Sequence, residues 1–347
     1  MALKGKTLKA KFEQVLLFAG EPQIVLLSGP AGSKVVAVAI NRDGMELPFF
    51  GAQVTEDQFV DYIRERFDLR YLLMKPDMKR HFMFDLSSTH EGNVQLARYT
   101  LTTEESERLL PDAGLFAREH TEKVELPSLQ GRSEETFGID GKWDLDEFSK
   151  LYGQVTDLYS VFSSVDAFLD EQASIDKRQR IQDAFLKPFE GGGSYVSLYK
   201  SLTSVQSQSA RLDVQGIQYH SPGYVKVKGQ TKPLSEVREL VGHIEANLVE
   251  LEKHYKALYV LLRQNNLLRM PSDRFDKTGV TAQRVEISTR ALSDALEAYP
   301  YDSVLKMSAG NQLIAAKVTL SVFRRGKRLL EFFLEGRVSY DAPSSKK

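Results

Sequence analysis

The 347-residue chain has no cysteine and a single tryptophan. The first absence removes disulfide scaffolds, thiolate zinc sites, iron–sulfur clusters and cysteine nucleophiles. No stretch approaches the roughly 18 consecutive apolar residues of a membrane-spanning helix, so no membrane role is expected. Net charge is also lacking: 46 Lys and Arg face 47 Asp and Glu, which gives no global reason to expect nucleic acid or an anionic membrane surface. The opening, MALKGKTLKAKF, places Lys4, Lys6, Lys9 and Lys11 among small residues without the apolar run of a signal peptide. It reads as a frayed basic tail on a cytoplasmic protein.

Metal chemistry finds little support. The histidines, His81, His90, His120, His220, His243 and His254, include no pair spaced for one helix face and no HExxH, so no metal site is expected. No cofactor is indicated. The stretch LLSGPAGSKVVAVAI resembles a phosphate loop only in its glycines. Counted from Gly29, the second Gly position of a Walker loop holds Lys34 and its Lys position holds Val35, and VVAVAI is strand-like where a helix should begin. A hairpin of two strands joined through Gly29, Pro30, Ala31 and Gly32 is expected instead.

What the chain does contain is 42% hydrophobic and 27% charged residues, a folded composition, in two differently patterned parts. Residues 1–120 carry short strand-like runs, FEQVLLFA, QIVLL, KVVAVAI, YLLM, HFMFDL and VQLARYTL, divided by turn signals. A helix is expected after Thr55, with Phe59, Tyr62, Ile63 and Phe67 as its apolar stripe, and a second near Thr103. The class is α+β: a recognition domain built as a small antiparallel sheet with one or two helices on a face. Residues 121–142, with Pro127, Gly131, Gly138 and Gly141 among polar side chains, read as a linker.

In residues 143–347 the period becomes helical. Asp144 and Glu147 stand at capping-box spacing, followed by a heptad seam of Phe148, Val155, Phe162 and Leu169 with Leu151, Leu158 and Val165 between them. A longer seam starts behind Pro233: Leu234, Val241, Leu248, Tyr255 and Leu262, with Val237, Ile244, Leu251 and Leu258 interleaved. A third, over 310–337, is interrupted by Gly326 and Lys327, so 318–334 is helix or hairpin. These seams predict a coiled-coil-like bundle of long helices that pair within the chain or with a second copy.

The most distinctive short segment is the hairpin LDVQGIQYHSPGYVKVKG, residues 212–229, expected as an insertion in the bundle with a type II turn at Pro222–Gly223. Tyr219, His220, Ser221, Tyr224, Lys226 and Lys228 could cradle a nucleotide phosphate and stack its base, although a purely structural hairpin is the simpler expectation. Asp77, Asp140 and Lys142 follow the order of a metal-dependent nuclease site. Lys177, Arg178 and Arg180, and Arg324, Arg325, Lys327 and Arg328, could meet phosphates or simply form solvated helix faces.

The opening FEQVLLFAGEPQIVLL, followed by a small sheet and a heptad-rich tail containing YHSPGY, resembles uncharacterised two-part bacterial proteins associated with mobile elements and antiviral defence loci. The likeness covers about the first hundred residues and the hairpin, and it implies no catalytic residue. Residues and resemblance together lead to the expectation of a non-enzymatic interaction or oligomerisation protein, partnered by a second copy or another protein through its seams. A nuclease or nucleotide-processing effector, and a nucleic-acid or nucleotide binder, are the alternatives.

Overall fold

The computed structural model describes residues 7–29, 32–74, 80–120, 130–187 and 196–340. The chain divides into two compact units, Met1–Leu129 and Gln130–Lys347.

The first unit is a closed six-stranded antiparallel barrel in the order β1 (Thr7–Ala19), β2 (Glu21–Ser28), β3 (Lys34–Ala39), β4 (Pro48–Val54), β5 (His81–Asp85) and β6 (Asn93–Tyr99). Closure corrects the expected open sheet, and β1 is its cause. Its first half pairs with β6 and its second half with β2, and register shifts along the second half bend it from one neighbour to the other. The continuous apolar runs follow from burial on both faces. Val25, Leu27, Val35, Ala37, Phe49, Phe82 and Phe84 fill the barrel, while Ile24, Leu26, Val36, Val38, Phe50 and Met83 pack with Phe59, Tyr62, Leu69, Leu72 and Leu73 outside it.

The outer residues belong to helices α1 (Glu56–Ile63) and α2 (Leu69–Met74), with α3 (Thr103–Leu109) after the last strand. Thr55 caps α1, as its sequence predicts, and Gln58 completes a capping box with it. YLLM, expected as a strand, lies in α2. Asp68 accepts the Tyr71 N–H at 2.8 Å, and Leu69, Leu72 and Leu73 are all buried on one helical face. The β2–β3 hairpin is present, with Gly29 N–H donating to Ser33 O at 2.7 Å and Gly32 at φ +75°. Pro30 and Ala31 of its turn lie outside the described residues.

The second unit opens with β7 (Arg132–Ile139), a strand inside the expected linker. Its RSEETFGI sequence carries Phe137 and Ile139 inward, a pattern that the glycines and charges around them hide. Helices α4 (Leu145–Leu169), α5 (Ile175–Leu186) and α6 (Val196–Val205) follow, then β8 (Asp213–Gln218), β9 (Gly223–Gln230), α7 (Thr231–Gln264), α8 (Val280–Leu296), α9 (Tyr301–Met307), α10 (Gln312–Leu334) and β10 (Val338–Tyr340). The expected hairpin is thus not a free insertion but half of a four-stranded antiparallel sheet, ordered β10-β7-β9-β8.

α10 settles the third seam as helix. It is buried on every side from Leu313 to Phe323, the mark of a central helix. Gly326 explains the interruption: a Cβ there would stand 2.3 Å from Ile244 Cδ1, so the glycine lets α7 approach, and neighbouring Lys327 pairs with Glu252 at 2.6 Å. The seams bury within one chain, against several helices. α7 packs against α4, α8 and α10 rather than along one partner, and Asn247 (φ −123°, ψ 21°) breaks its helical geometry midway. Val155, Phe162, Val241, Leu251 and Leu258 are buried, Phe148 and Leu248 are half-buried, and Leu169, at the end of α4, is 48% exposed.

Candidate interaction site

The local sequence around α4 builds one wall of a groove. Asp144 Oδ1 accepts the Glu147 N–H at 2.8 Å while Glu147 Oε2 accepts the Asp144 N–H at 3.0 Å, which starts the helix where the spacing predicts. The same Glu147 takes both arms of Arg337, at 2.9 and 2.8 Å, and those hydrogen bonds hold its carboxyl down at about 2. The Arg337 guanidinium lies over the Trp143 ring, 4.2 Å from its centre. Trp143 stacks on Phe332 and touches Phe148. This fixes a rigid aromatic floor.

Opposite it stands the inner face of the sheet. An apolar groove of about 960 Å³ separates the two walls, with Phe148 and Tyr152 on the helix side and Val225, Val227, Val214 and Ile217 on the sheet side. β8 is the sheet edge, and there Val214 and Ile217 are 42% and 58% exposed. Strict alternation would put these two on opposite faces. A bulge between Val214 and Gly216 shifts the register, so that Val214 faces Val227 and Ile217 faces Val225.

The bulge is also why sequence periodicity missed the site. The six hairpin residues singled out in the sequence do not line one cradle. Tyr219 lies on the groove side, edge-on to Phe148, with its hydroxyl accepting the Trp143 N–H at 3.1 Å and donating to the Trp143 carbonyl at 3.2 Å. Tyr224, Lys226 and Lys228 occupy the other face, where Lys226 pairs with Glu134 at 3.4 Å. Ser221 donates to the Asp140 carboxylate, and His220 is exposed. The type II turn is replaced by a turn with a cis Ser221–Pro222 bond. Gly223 does not adopt positive φ; it is needed for room, since a Cβ would stand 2.2 Å from Gln218 O.

The remaining candidates are largely engaged elsewhere. Arg325 is buried, bonded to Asp157 at 2.6 Å and seated over the Tyr199 ring at 3.6 Å; Arg324 donates to Tyr255, Arg178 to Asp170 O, and Arg180 pairs with Asp176. Asp140 is exposed, and its carboxyl is lowered by the Ser221 and Gly141 hydrogen bonds. Asp77 lies outside the described residues, and among those described no group of three or more His, Asp or Glu could hold a metal. No helix is long and apolar enough to cross a membrane among the described residues. No protein-family model, curated protein or solved structure matches the chain.

Proposed function

We propose that this is a non-catalytic interaction protein that self-associates through the β8 edge of its second unit. One observation carries the proposal: an edge strand that exposes Val214 and Ile217 beside an apolar groove. Sheet edges are ordinarily blunted by charge, proline or a bulge, and the β8 bulge at Val214–Gly216 here turns a second apolar side chain onto the groove face instead of removing it. β8 has neither charge nor proline beyond its first residue, Asp213, which is spent on an ion pair with Arg132 at 2.8 Å. Among the described residues no strand pairs with its outer edge. Antiparallel pairing of β8 with its own copy would satisfy those backbone groups, extend the sheet across a two-fold axis, and bring two sets of Val214, Ile217 and Tyr219 together. The heptad seams, the other candidate interface, are used inside the chain.

Light scattering on the full chain tests this. A dimer is expected at tens of micromolar, and Ile217→Lys should yield a monomer of unchanged circular dichroism. A monomeric wild type, or a variant that remains dimeric, contradicts the proposal. The antiviral setting implied by the sequence resemblance belongs to the same proposal: expression should lower phage plating, and Ile217→Lys should restore it.

A further inference from the structure

Tyrosine hydroxyls bridge the two walls of the apolar groove at each end. Tyr219, just past β8, accepts the Trp143 N–H and donates to the Trp143 carbonyl at the start of α4. Just before β8, Leu212 O accepts from Tyr152 at 3.5 Å; farther along α4, Tyr159 donates to Ala210 O at 2.7 Å and accepts the Gln230 N–H at 2.9 Å. Helix and strand thus run in opposite directions between fixed ties. Along α4 the groove extends from Asp144 to Val155, about 16 Å at the helical rise. Its volume of about 960 Å³ is that of a ligand pocket, with walls already pinned in place.

The lining carries one ionised side chain, Asp144, whose Oδ1 caps α4, and no Lys, Arg or His. The basic groups close by are committed or turned away: Arg337 is clasped by Glu147, Lys150 pairs with Asp146 at 2.5 Å, and Lys142 is exposed and does not line the groove. Since the Tyr152 and Tyr219 hydroxyls serve as ties, the exposed Ser149 on the rim is the one lining hydroxyl without a hydrogen bond. An anionic head would meet only the Asp144 carboxylate, and any ionised group drawn inward would lose water without a partner. A second copy paired along β8 would engage backbone groups in the plane of the sheet, whereas the groove lies on its face, so self-association leaves it open.

We propose that the groove binds an uncharged hydrocarbon-chain ligand, a long-chain or isoprenoid alcohol or its ester, with the chain between α4 and the sheet and its oxygen at Ser149. This goes beyond self-association and does not depend on it.

N-phenylnaphthylamine, an uncharged dye whose emission rises in apolar surroundings, tests this on the full chain, at protein concentrations well below those at which it is expected to dimerise. Saturable dye binding is expected, with displacement by octanol, decanol and dodecanol that tightens about two- to fourfold for each added methylene. Dodecanoate and dodecylammonium, with the same chain, should compete about tenfold or more weakly than dodecanol. Ser149→Trp, which obstructs the rim, and Val214→Asp, which places a charge on the wall, should each weaken binding by about tenfold or more. Both positions are exposed, so circular dichroism should not change. The absence of saturable binding, tighter binding of either ionised chain, or unchanged binding in both variants overturns the proposal. Should the variants fail to fold, the wild-type competition series decides. A monomeric wild type that still takes up the dye contradicts self-association alone, and a dimer that takes up none contradicts the ligand alone.

Discussion

Lys317 is the residue whose placement departs most from its chemistry. It lies on α10 at 6% exposure, its ammonium donating to Met270 O at 2.9 Å, and burial pulls its pKa from 10.5 down to about 8. The unfolded chain binds this proton more tightly, so the charge opposes folding below the folded value and stability rises as pH climbs from about 8 to 10.5. The linkage amounts to about 3 kcal/mol. In Lys317→Met that rise should vanish from denaturant unfolding measured at the two ends of the window; an unchanged slope would assign it to other groups. Glu236 works in the opposite sense. Its raised carboxyl makes stability fall as pH rises from 4.5 through about 7. Arg325 belongs to the same class of inward polar groups, and it was legible only as one member of a basic cluster because a four-letter run does not reveal which side of a helix faces a core.

At the scale of the element, Gly51 shows how tightly strands of the barrel approach. A Cβ on this β4 residue would stand 2.7 Å from Ala37 Cβ and 2.9 Å from Val36 O, against backbone that cannot yield cheaply. Gly51→Ala should therefore destabilise the first unit by about 1–3 kcal/mol in urea unfolding; a cost near zero would mean that β3 and β4 can spread. Helix starts were the most legible elements, because Thr55 and Asp144 cap through local spacing that a sequence displays directly. Strand-to-helix confusion at YLLM arose because four apolar letters fit either period, and only the leucine before them and the Asp68 cap decide. β7 was hidden for a different reason: Glu134, Thr136 and Gly138 fill one face and Glu135 sits on the other with Phe137 and Ile139, so the apolar alternation is only two residues long. The groove was the least legible feature, since it depends on a bulge in β8 that shifts Ile217 to the face of Val214.

Over the whole molecule, the hydrophobic clusters respect the division between the units. The two barrel clusters involve residues up to Ala117, and the large one begins at Phe137. A core complete within its own residues is the requirement for independent folding. Residues 130–347 expressed alone should accordingly give a strongly helical circular dichroism spectrum and a cooperative melt, whereas a molten, non-cooperative fragment would show that the barrel unit is required. The broad class, a strand-rich front and a helical back, was readable from the change in periodicity. Barrel closure was not, because it depends on one bent strand meeting the distant β6 as well as its hairpin neighbour β2. The sheet of the second unit draws β7 from near residue 132 and β10 from near residue 340, and Tyr340 then sits against both Phe137 and Phe333. During translation β7 emerges long before the strand that covers it, so a nascent chain carries a bare β7 edge until the ribosome has passed α10. A premature stop just after that helix would leave the defect permanent.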